Sequence, residues 1–286
     1  MPALSNHSAQ NITKMLLIGN SGSGKTSALA SLALAGYNLR ILDFDAGTDI
    51  LLNLLKDDPA AMDRVIYEPC MDKMKNQGGT LVPDGVPKAF PLALRLLTHW
   101  KMEETRAPDG SIWPAYDLGP VSSWGEKDII VIDSLTHCGA AAMRYGSIIA
   151  PNKDKRMDYY TAQTYVENLI SMLYSSEIKC NVIVLSHITF IGEDGAERGY
   201  PAAVGKALSP KIGTYFNTIL QANVIGAGAG AKRTIRTQPD GLVDLKNSAP
   251  IGMPATLPLE TGLADFFSIV RKKAPAKAAP LALVKN

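Results

Sequence analysis

The sequence predicts an α/β fold in which a mostly parallel central sheet is flanked by helices. A short apolar run at 14–18 is followed by an Ala- and Leu-rich helical segment at 25–35 and a second strand-like run at 38–44. A strand–helix–strand order with buried strands implies parallel pairing. Two further apolar runs, at 128–133 and 181–185, have the length and composition of buried strands of the same sheet.

Periodicity and turn residues predict the remaining elements. Residues 157–176 place Ala162, Val166, Leu169 and Leu173 on one face of an amphipathic helix. Further helices are expected at 46–60, 90–104 and 136–145, a short strand at 64–67, antiparallel strands at 218–225, 233–237 and 242–245, and loops at 68–88 and 146–157.

One domain is expected over 14–270, because this length is ample for a buried core and no internal repeat divides it. Residues 1–13 are polar and predict a flexible N-terminus, whereas 271–286 are Lys, Ala and Pro with little else and predict a disordered basic tail. Inside the domain, Pro- and Gly-rich sequence at 106–126 predicts an irregular insertion, and 188–213 predicts a long mobile loop.

Composition argues against several classes of protein. The formal net charge is +2, so no global field steers the chain to nucleic acid or to a membrane surface. No apolar run approaches the ~20 residues of a membrane span, and residues 1–13 contain no apolar signal core. Cys70, Cys138 and Cys180 lack metal-ligand spacing and are expected to be buried in a reducing compartment. A cytoplasmic protein without a membrane partner is therefore predicted.

The most specific pattern is the glycine-rich segment at 19–26. It reads Gly-Asn-Ser-Gly-Ser-Gly-Lys-Thr and matches the phosphate-binding pattern G-x-x-x-x-G-K-[ST] in full. A strand before it and a helix after it distinguish a real phosphate loop from a flexible Gly/Ser loop with an incidental lysine. The candidate nucleotide-binding residues are Gly19, Asn20, Ser21, Gly22, Ser23, Gly24, Lys25, Thr26 and Ser27.

Each residue type in this segment suits a bound triphosphate. Glycines let successive N–H groups turn toward phosphate oxygens, and the N-terminus of the following helix adds partial positive charge. Lys25 is expected to reach the β- and γ-phosphates, and the Thr26 hydroxyl to bind Mg²⁺. The predicted cofactors are therefore ATP and Mg²⁺.

Acidic residues at two other strand ends are candidates for the same site. Asp133 follows an apolar strand and is expected to hold the Mg²⁺ shell, although Asp-Ser is also a helix-capping sequence. Asp45 lies just past the end of the second strand and is the candidate for orienting the attacking water, with Asp43 as the alternative. An aspartate before Ala46-Gly47 could equally belong to a simple turn.

A polar pair, Ser186-His187, follows the strand at 181–185. His187 there could sense the γ-phosphate and report nucleotide state to the following loop, or it could be a partly buried histidine bonded to backbone. The other histidines, His7, His99 and His137, show no spacing that suggests metal binding.

The chain resembles the RecA-type ATPases in the order of these motifs: phosphate loop, acidic strand end, Val131-Ile-Asp-Ser134, amphipathic helix, polar strand end and Gly-rich loop. The likeness is greatest to small phage-encoded RecA-like proteins that anneal single strands or act as recombinases, and it covers roughly 12–250. It implies a RecA-like core that hydrolyses ATP, acts on single-stranded DNA and holds the nucleotide between subunits of a homo-oligomer.

The resemblance also implies roles for individual residues. Asp45 falls where the family has its catalytic glutamate, and the shorter side chain implies slow hydrolysis. Ser186-His187 falls at the family's polar sensor. Lys246-Asn247 resembles a Lys-Asn-Arg stretch of some members, with Ser248 in place of the arginine. Lys246 is therefore the candidate cation that acts on a neighbouring subunit's nucleotide, together with a lysine of the segment described next.

Two segments, 146–157 and 188–206, fall where the family has its DNA-contacting loops. Their cationic side chains would contact phosphates in a salt-dependent manner, and nearby aromatic rings could stack on bases or anchor the loop ends. The candidate DNA-contacting cations are Lys153, Lys155, Arg156, Arg198, Lys206 and Lys211, and the aromatic residues are Tyr159, Tyr160, Phe190 and Tyr200. Lys206, or Lys211 just beyond the second segment, is also the lysine expected to act with Lys246 in trans.

Two other functions remain as alternatives. The near-neutral charge slightly favours an ATPase switch of the KaiC type, which has the same fold but acts on a protein partner. A small-molecule kinase usually places several arginines in a lid over the phosphates. Residues 188–213 contain only Arg198, which argues against a kinase.

Overall fold

The computed structural model describes residues 11–106, 110–151, 153–192, 197–249 and 251–271. The strands are β1 (Lys14–Ile18), β2 (Asn38–Asp43), β3 (Val65–Pro69), β4 (Met74–Gln77), β5 (Thr80–Pro83), β6 (His99–Met102), β7 (Thr105–Arg106), β8 (Ile112–Trp113), β9 (Tyr116–Pro120), β10 (Asp128–Asp133), β11 (Asn181–Ser186), β12 (Ile188–Ile191), β13 (Arg198–Pro201), β14 (Thr218–Ile225), β15 (Lys232–Arg236) and β16 (Thr256–Pro258). The helices are α1 (Lys25–Ala28), α2 (Ala30–Leu34), α3 (Asp49–Leu55), α4 (Pro59–Met62), α5 (Ala89–Thr98), α6 (Leu135–Ile149), α7 (Lys155–Tyr174), α8 (Gly205–Tyr215) and α9 (Gly262–Arg271).

Eight of the described strands form one sheet in the order β16-β15-β14-β1-β11-β10-β2-β3. All pairs from β14 to β3 are parallel, whereas β15 and β16 add to one edge in antiparallel fashion. The predicted α/β class is confirmed, including the mostly parallel central sheet and the antiparallel strands near the C-terminus. Strand β11 lies between β1 and β10, so their carboxyl ends meet at one edge of the sheet.

Side chains of the central strands alternate between two hydrophobic layers. On β1, Met15 and Leu17 pack toward α1, α2, α3 and α9, whereas Leu16 and Ile18 pack toward α5, α6, α7 and α8. All four side chains are buried. The sheet is therefore covered on both faces, as a parallel sheet requires, and its strand ends are held in fixed positions.

Several segments expected to lack regular structure contain it. Residues 74–83, inside the predicted loop at 68–88, form the hairpin β4–β5, whose turn is Gly78-Gly79 with φ of 60° and 83°. These strands are almost entirely exposed, so they lack the apolar alternation that would have indicated them. The glycine pair suits a two-residue hairpin turn, which is the signal that could have found this element.

The predicted irregular insertion at 106–126 is also more regular than expected. Helix α5 ends at Thr98, and β6 follows it and pairs with β9. Trp100 of β6 and Trp124 are buried, with ring centroids 5.7 Å apart. Burial of this tryptophan pair anchors the segment from β6 to Trp124 to the core. Residues 99–104 are therefore not part of the helix that was predicted at 90–104.

Both predicted DNA loops are shorter than expected. Helix α6 continues to Ile149, so the loop at 146–157 shrinks to 150–154, and Gly146 allows α6 and α7 to approach closely. Most of 188–213 is the hairpin β12–β13 followed by α8, and residues 193–196 lie outside the described part. In place of the predicted mobile loop, residues 188–191 and 198–201 pair as antiparallel strands.

Three further boundaries differ from the sequence-based expectations. The helix at 46–60 divides into α3 and α4, because Asp58 caps a new helix that starts at Pro59. Residues 242–245 make a single isolated bridge, Val243 with Gly199, rather than a strand, although Val243 and Leu245 are buried. The antiparallel strand is β16 instead. Among the described residues no helix is long and apolar enough to cross a membrane.

Helix α9 has no counterpart among the predicted elements, and it includes the residue at which the tail was expected to begin. The Arg271 guanidinium lies over the rings of Phe267 and Tyr37, at 4.6 and 5.0 Å, and donates to Asn181 Oδ1 at 2.6 Å. Arg271 is therefore part of the folded domain. Residues 272–286 and 1–10 of the predicted termini lie outside the described part, whereas Thr13 is bonded to β11.

We expect Phe267→Ala to lower the free energy of unfolding by about 3–5 kcal/mol, because the side chain is fully buried between α9 and the sheet. Phe190→Ala, at a residue 47% exposed, serves as the matched control and should cost less than about 1 kcal/mol. Urea unfolding of both variants provides the measurement. Similar losses for the two would show that α9 is not packed as described.

Candidate nucleotide-binding site

The phosphate loop joins β1 to the helical segment formed by α1 and α2. Gly22 and Gly24 have φ of 72° and 92°, a left-handed conformation that strains other residues. Leu29, between the two helices, has φ of −62° and ψ of −28°, so 25–34 runs as nearly continuous helix. The Ser23 hydroxyl is buried and has no hydrogen-bond partner among the described residues. An orphaned buried donor in this position fits a loop that closes on phosphate oxygens.

Lys25 lies inside this loop rather than extending into solvent. Its Nζ donates to the backbone oxygens of Gly19 and Asn20 at 2.9 and 3.1 Å, and lies 3.4 Å from His187 Nδ1. Burial lowers the pKa of Lys25, while the carboxylates of Asp133 and Asp45 oppose this shift. The ammonium group is thus held at the mouth of the loop, where a triphosphate would meet it.

Thr26 and Asp133 are brought together from α1 and the end of β10. The Thr26 hydroxyl donates to Asp133 Oδ2 at 2.7 Å. The pKa of Asp133 is raised to about 7, chiefly by burial and also by the neighbouring Asp45 and Asp43, whereas the Thr26 hydrogen bond and Lys25 oppose the shift. A buried carboxylate beside a hydroxyl and two other acids matches the oxygen-donor set that Mg²⁺ uses. The donors therefore fit this cation.

The structure distinguishes the two candidate aspartates after β2. Asp43 is buried, and its carboxylate accepts bonds from the Asp45 and Gly47 amides and from the Thr48 hydroxyl, so it shapes the turn. Asp45 lines the same cavity as Lys25. Its Oδ1 accepts from the Ser134 hydroxyl at 2.9 Å and pairs with His137 Nδ1.

His187, at the end of β11, contacts both sides of this site. Its Nδ1 faces Lys25, and its Nε2 lies 3.7 Å from Asp45 Oδ2. Burial lowers the pKa of His187, with smaller effects from Lys25 and Asp45 in opposite directions. The His187 carbonyl accepts from the Ala202 amide at 2.7 Å, and its own amide donates to Thr136 Oγ1 at 3.2 Å. The residue therefore connects the phosphate loop to the base of the β12–β13 hairpin.

One cavity of about 640 Å³, within the usual size range of ligand pockets, is lined by Lys25, Thr26, Asp45, Asp133 and His187. One wall is apolar, and two charged side chains stand at the rim. Arg233 Nε donates to the Gly22 oxygen at 3.2 Å, and Glu260 lines the same cavity. The apolar wall consists of Ala30, Leu34, Ile50, Leu54 and Leu259.

Sequence reasoning missed three residues of this site. Arg233 and Glu260 sit among apolar and turn residues that carry no motif, so no signal pointed to them. His137 was set aside, yet it lies one helical turn after Ser134 and contacts Asp45. The Ser134-x-x-His137 spacing at a helix start could have indicated that contact, because residues three apart share a helix face.

The predicted cations of the DNA loops are distributed over α7, α8 and β13. Arg156 is exposed but forms a bidentate pair with Asp154, and Arg198 pairs with Asp244. Lys206 lies at the start of α8 on its exposed side. Lys153 and Lys211 are also exposed, and Lys155 opens α7.

Lys246 is not part of the cavity that holds Lys25. It is exposed, and its backbone pairs with Ile219 beside β14. It lines a separate cavity of about 220 Å³ together with residues of β13 and α8. Within one chain, therefore, the structure does not bring Lys246 to the phosphate loop.

A family model described as an AAA domain, AAA_24, matches residues 11–249. The chain belongs to this family. The match covers the phosphate loop, all the strand-end residues described above and Lys246, whereas β16 and α9 follow it. Among curated proteins nothing matches the chain.

Solved structures similar to this AAA_24 chain are remote in sequence. FlaH, a flagellar accessory protein of Methanocaldococcus jannaschii, is 12% identical with a TM-score of 0.42, over 85% of this chain and 83% of that one. A KaiC-like protein of Pyrococcus horikoshii is 11% identical with a TM-score of 0.37, over 78% and 77% of the two chains. An ATPase from the type III secretion system of pathogenic bacteria is 11% identical with a TM-score of 0.36, over 74% and 51%.

We expect Gly24→Ala to destabilise this AAA_24 protein by about 2–4 kcal/mol and to weaken ATP binding. A Cβ there would lie 2.5 Å from Leu259 Cδ2 in addition to the left-handed strain. Gly22→Ala is the matched control, because it carries the same strain with no atom within 4 Å and should cost about 1–2 kcal/mol. Denaturant unfolding and ATP titration compare the two. Equal effects would contradict the close contact at Gly24.

Proposed function

We propose that the chain binds Mg-ATP in this cavity and hydrolyses it slowly while acting on single-stranded DNA, in recombination or strand annealing of the phage-encoded type. The observation that carries the proposal is the convergence of Lys25, Thr26, Asp133, Asp45 and His187 on one cavity. The five come from four segments: Lys25 and Thr26 from the start of α1, and Asp45, Asp133 and His187 from the ends of β2, β10 and β11. Few arrangements other than a nucleotide site bring these groups together.

The side chains divide the work of phosphoryl transfer to water. Lys25 would exchange its carbonyl partners for phosphate oxygens, and Thr26 with Asp133 would hold Mg²⁺, which when bound neutralises charge on the phosphates. Asp45 would orient the attacking water, since its carboxylate faces the cavity whereas that of Asp43 is occupied by the turn. Its short side chain and its pairing with His137 agree with slow turnover.

His187 is proposed to transmit nucleotide state to the surface. The His187 ring would lose its contact with the Lys25 ammonium group when Lys25 moves to a phosphate. The His187 carbonyl accepts a hydrogen bond from the Ala202 amide, just after the β12–β13 hairpin. That hairpin carries Phe190, which is 47% exposed. A change at the γ-phosphate would thus move an exposed aromatic residue through one short connection.

The proposed DNA surface combines this hairpin with the starts of α7 and α8. Tyr159 and Tyr160 are 49% and 64% exposed, and the first residue of α8, Gly205, lies against the Tyr159 ring. Lys206 follows directly. Exposed rings beside exposed lysines suit stacking of bases with phosphate contacts. In this proposal Lys153, Lys155, Arg156, Arg198 and Lys211 supply further contacts.

A homo-oligomer completes the proposal, with nucleotide between subunits. Lys246 does not line the cavity of its own phosphate loop and is exposed, so we propose that it acts on a neighbouring subunit's nucleotide. Arg233, by contrast, already touches the phosphate loop of its own chain.

One observation favours a switch that acts on a protein instead of DNA. The guanidinium groups of Arg156 and Arg198 are both paired with carboxylates, which reduces the positive charge available to DNA phosphates. The two proposals differ in whether single-stranded DNA changes the hydrolysis rate.

ATP hydrolysis with and without single-stranded DNA, at low and moderate salt, is the deciding experiment. We expect DNA to stimulate hydrolysis several-fold and the stimulation to fade as salt rises, because phosphate contacts release counterions. Lys25→Ala should lower both rates by at least ~100-fold. Tyr160→Ala should remove much of the stimulation but not the basal rate, whereas Tyr67→Ala, a 46% exposed tyrosine on edge strand β3, should change neither.

Three outcomes would redirect the assignment. Hydrolysis that depends on Lys25 but ignores DNA would favour the protein-directed switch. Hydrolysis that survives Lys25→Ala would overturn the site itself. A phosphorylated small molecule in place of free phosphate would indicate a kinase.

A further inference from the structure

Asp45, His137 and His187 form a cluster of metal-ligating side chains from three different elements. One donor atom of each, a carboxylate oxygen or an imidazole nitrogen, lies within 4.8 Å of the others. Asp45 Oδ1 pairs with His137 Nδ1, and Asp45 Oδ2 lies 3.7 Å from His187 Nε2. Within the described residues no other group of three such donors occurs.

The chemistry of these donors differs from that of the Thr26–Asp133 pair. Magnesium prefers oxygen ligands and octahedral geometry. Two imidazoles with one carboxylate are instead the donor set of zinc and of other first-row transition metals. We propose that Asp45, His137 and His187 bind one divalent transition-metal cation of the Zn²⁺ or Co²⁺ class, separate from the Mg²⁺ expected at Thr26 and Asp133.

The spacing of Asp45 and His187 is close to what such a cation requires, whereas His137, in direct contact with Asp45 Oδ1, would have to move slightly away from it. Bonds of about 2.0–2.2 Å in a tetrahedral site place ligand atoms about 3.3 Å apart. The 3.7 Å between Asp45 Oδ2 and His187 Nε2 therefore needs only a small contraction. The His137 side chain is 52% exposed and can adjust to the ion, whereas those of Asp45 and His187, at 19% and 26%, are held by the fold.

Neighbouring groups hold the carboxylate and leave the site accessible. The Ser134 hydroxyl donates to Asp45 Oδ1 at 2.9 Å, which fixes the carboxylate as an outer hydrogen bond does in metal sites. Asp45 and His187 both line the open nucleotide cavity, so an ion and its water ligand can enter from there. The alternative is a hydrogen-bonded network without a metal ion, in which His137 and His187 are partners of the Asp45 carboxylate.

Lys25 links this cation site to the phosphate loop. A metal on His187 Nε2 leaves the ring proton on Nδ1, which then cannot accept a bond from Lys25 at 3.4 Å. The metal-bound state therefore favours a Lys25 that has left His187, as it would on binding phosphate. Nucleotide and transition metal should for this reason strengthen each other's binding.

Titration of the metal-free full-length chain with Co²⁺, without nucleotide, tests the proposal through visible absorption of the bound ion. We expect one tightly bound Co²⁺ per chain, displaced by Zn²⁺ but not by excess Mg²⁺. His137→Gln and His187→Gln should each weaken binding by at least about tenfold. His99→Gln is the matched control, because His99 also pairs with an aspartate, Asp117, but has no third donor beside it in the described part of the chain, and it should bind like wild type.

Absence of saturable Co²⁺ absorption, equal binding by His137→Gln and wild type, or displacement by Mg²⁺ would each overturn the proposal. His137→Gln alters a half-exposed side chain, so it tests the site even if His187→Gln fails to fold. Since no nucleotide is present, failure of Co²⁺ binding leaves the ATPase proposal intact. Conversely, a chain that binds no ATP can still bind Co²⁺ here.

Discussion

The buried carboxylate of Asp133 is the constraint on which the rest of the site depends. It ends a central strand, is nearly inaccessible to solvent and has two other aspartates nearby. Lys25 and the Thr26 hydroxyl offset only part of the cost of its charge, so burial keeps its pKa near neutrality. Three neighbouring carboxylates, two of them buried, do not stabilise the fold unless a bound cation offsets their charge. The phosphate loop follows β1, with only β11 between it and β10, so the proposed triphosphate would lie within reach of this cation.

The parallel sheet connects this buried site to the surface hairpin β12–β13. Because β1, β11, β10 and β2 are parallel neighbours, their carboxyl ends deliver the phosphate loop, His187, Asp133 and Asp45 to one edge. His187 contacts Lys25 on one side and the hairpin base on the other. The phosphate loop and the base of the β12–β13 hairpin are thereby linked through one residue, which is the connection on which the proposed transmission of nucleotide state rests. The same convergence creates the histidine and aspartate cluster, whose nitrogen donors a magnesium site alone does not need.

The part of this architecture that a sequence can reveal is the part set by local pattern. The full phosphate-loop motif and the buried strands at 128–133 and 181–185 indicated the sheet and the residues at its edge. Exposed strands such as β4 carry no apolar alternation and were missed. Contacts made by the tertiary fold left no local signal: Arg233 reaches the phosphate loop from 211 residues away along the chain, and Arg271 packs on Tyr37 from 234 residues away. The predicted DNA loops were too long because Gly146 and the pairing of β12 with β13 extend regular structure into them.

Thermal unfolding of wild type and Asp133→Asn, without ligand, with ATP and with ATP plus Mg²⁺, tests this account most directly. Above about pH 4 the Asp133 carboxyl of the unfolded chain is deprotonated, whereas that of the folded chain keeps its proton up to about pH 7 because its pKa is raised. The folded state therefore binds more protons in this range, and wild type loses stability as pH rises toward about 7. At pH 8 without ligand, the account requires Asp133→Asn to be the more stable protein, by on the order of 1–3 kcal/mol. It also requires Mg²⁺ to add stability beyond ATP alone only in wild type. A less stable variant without ligand, or an equal gain from Mg²⁺ in both proteins, would contradict it.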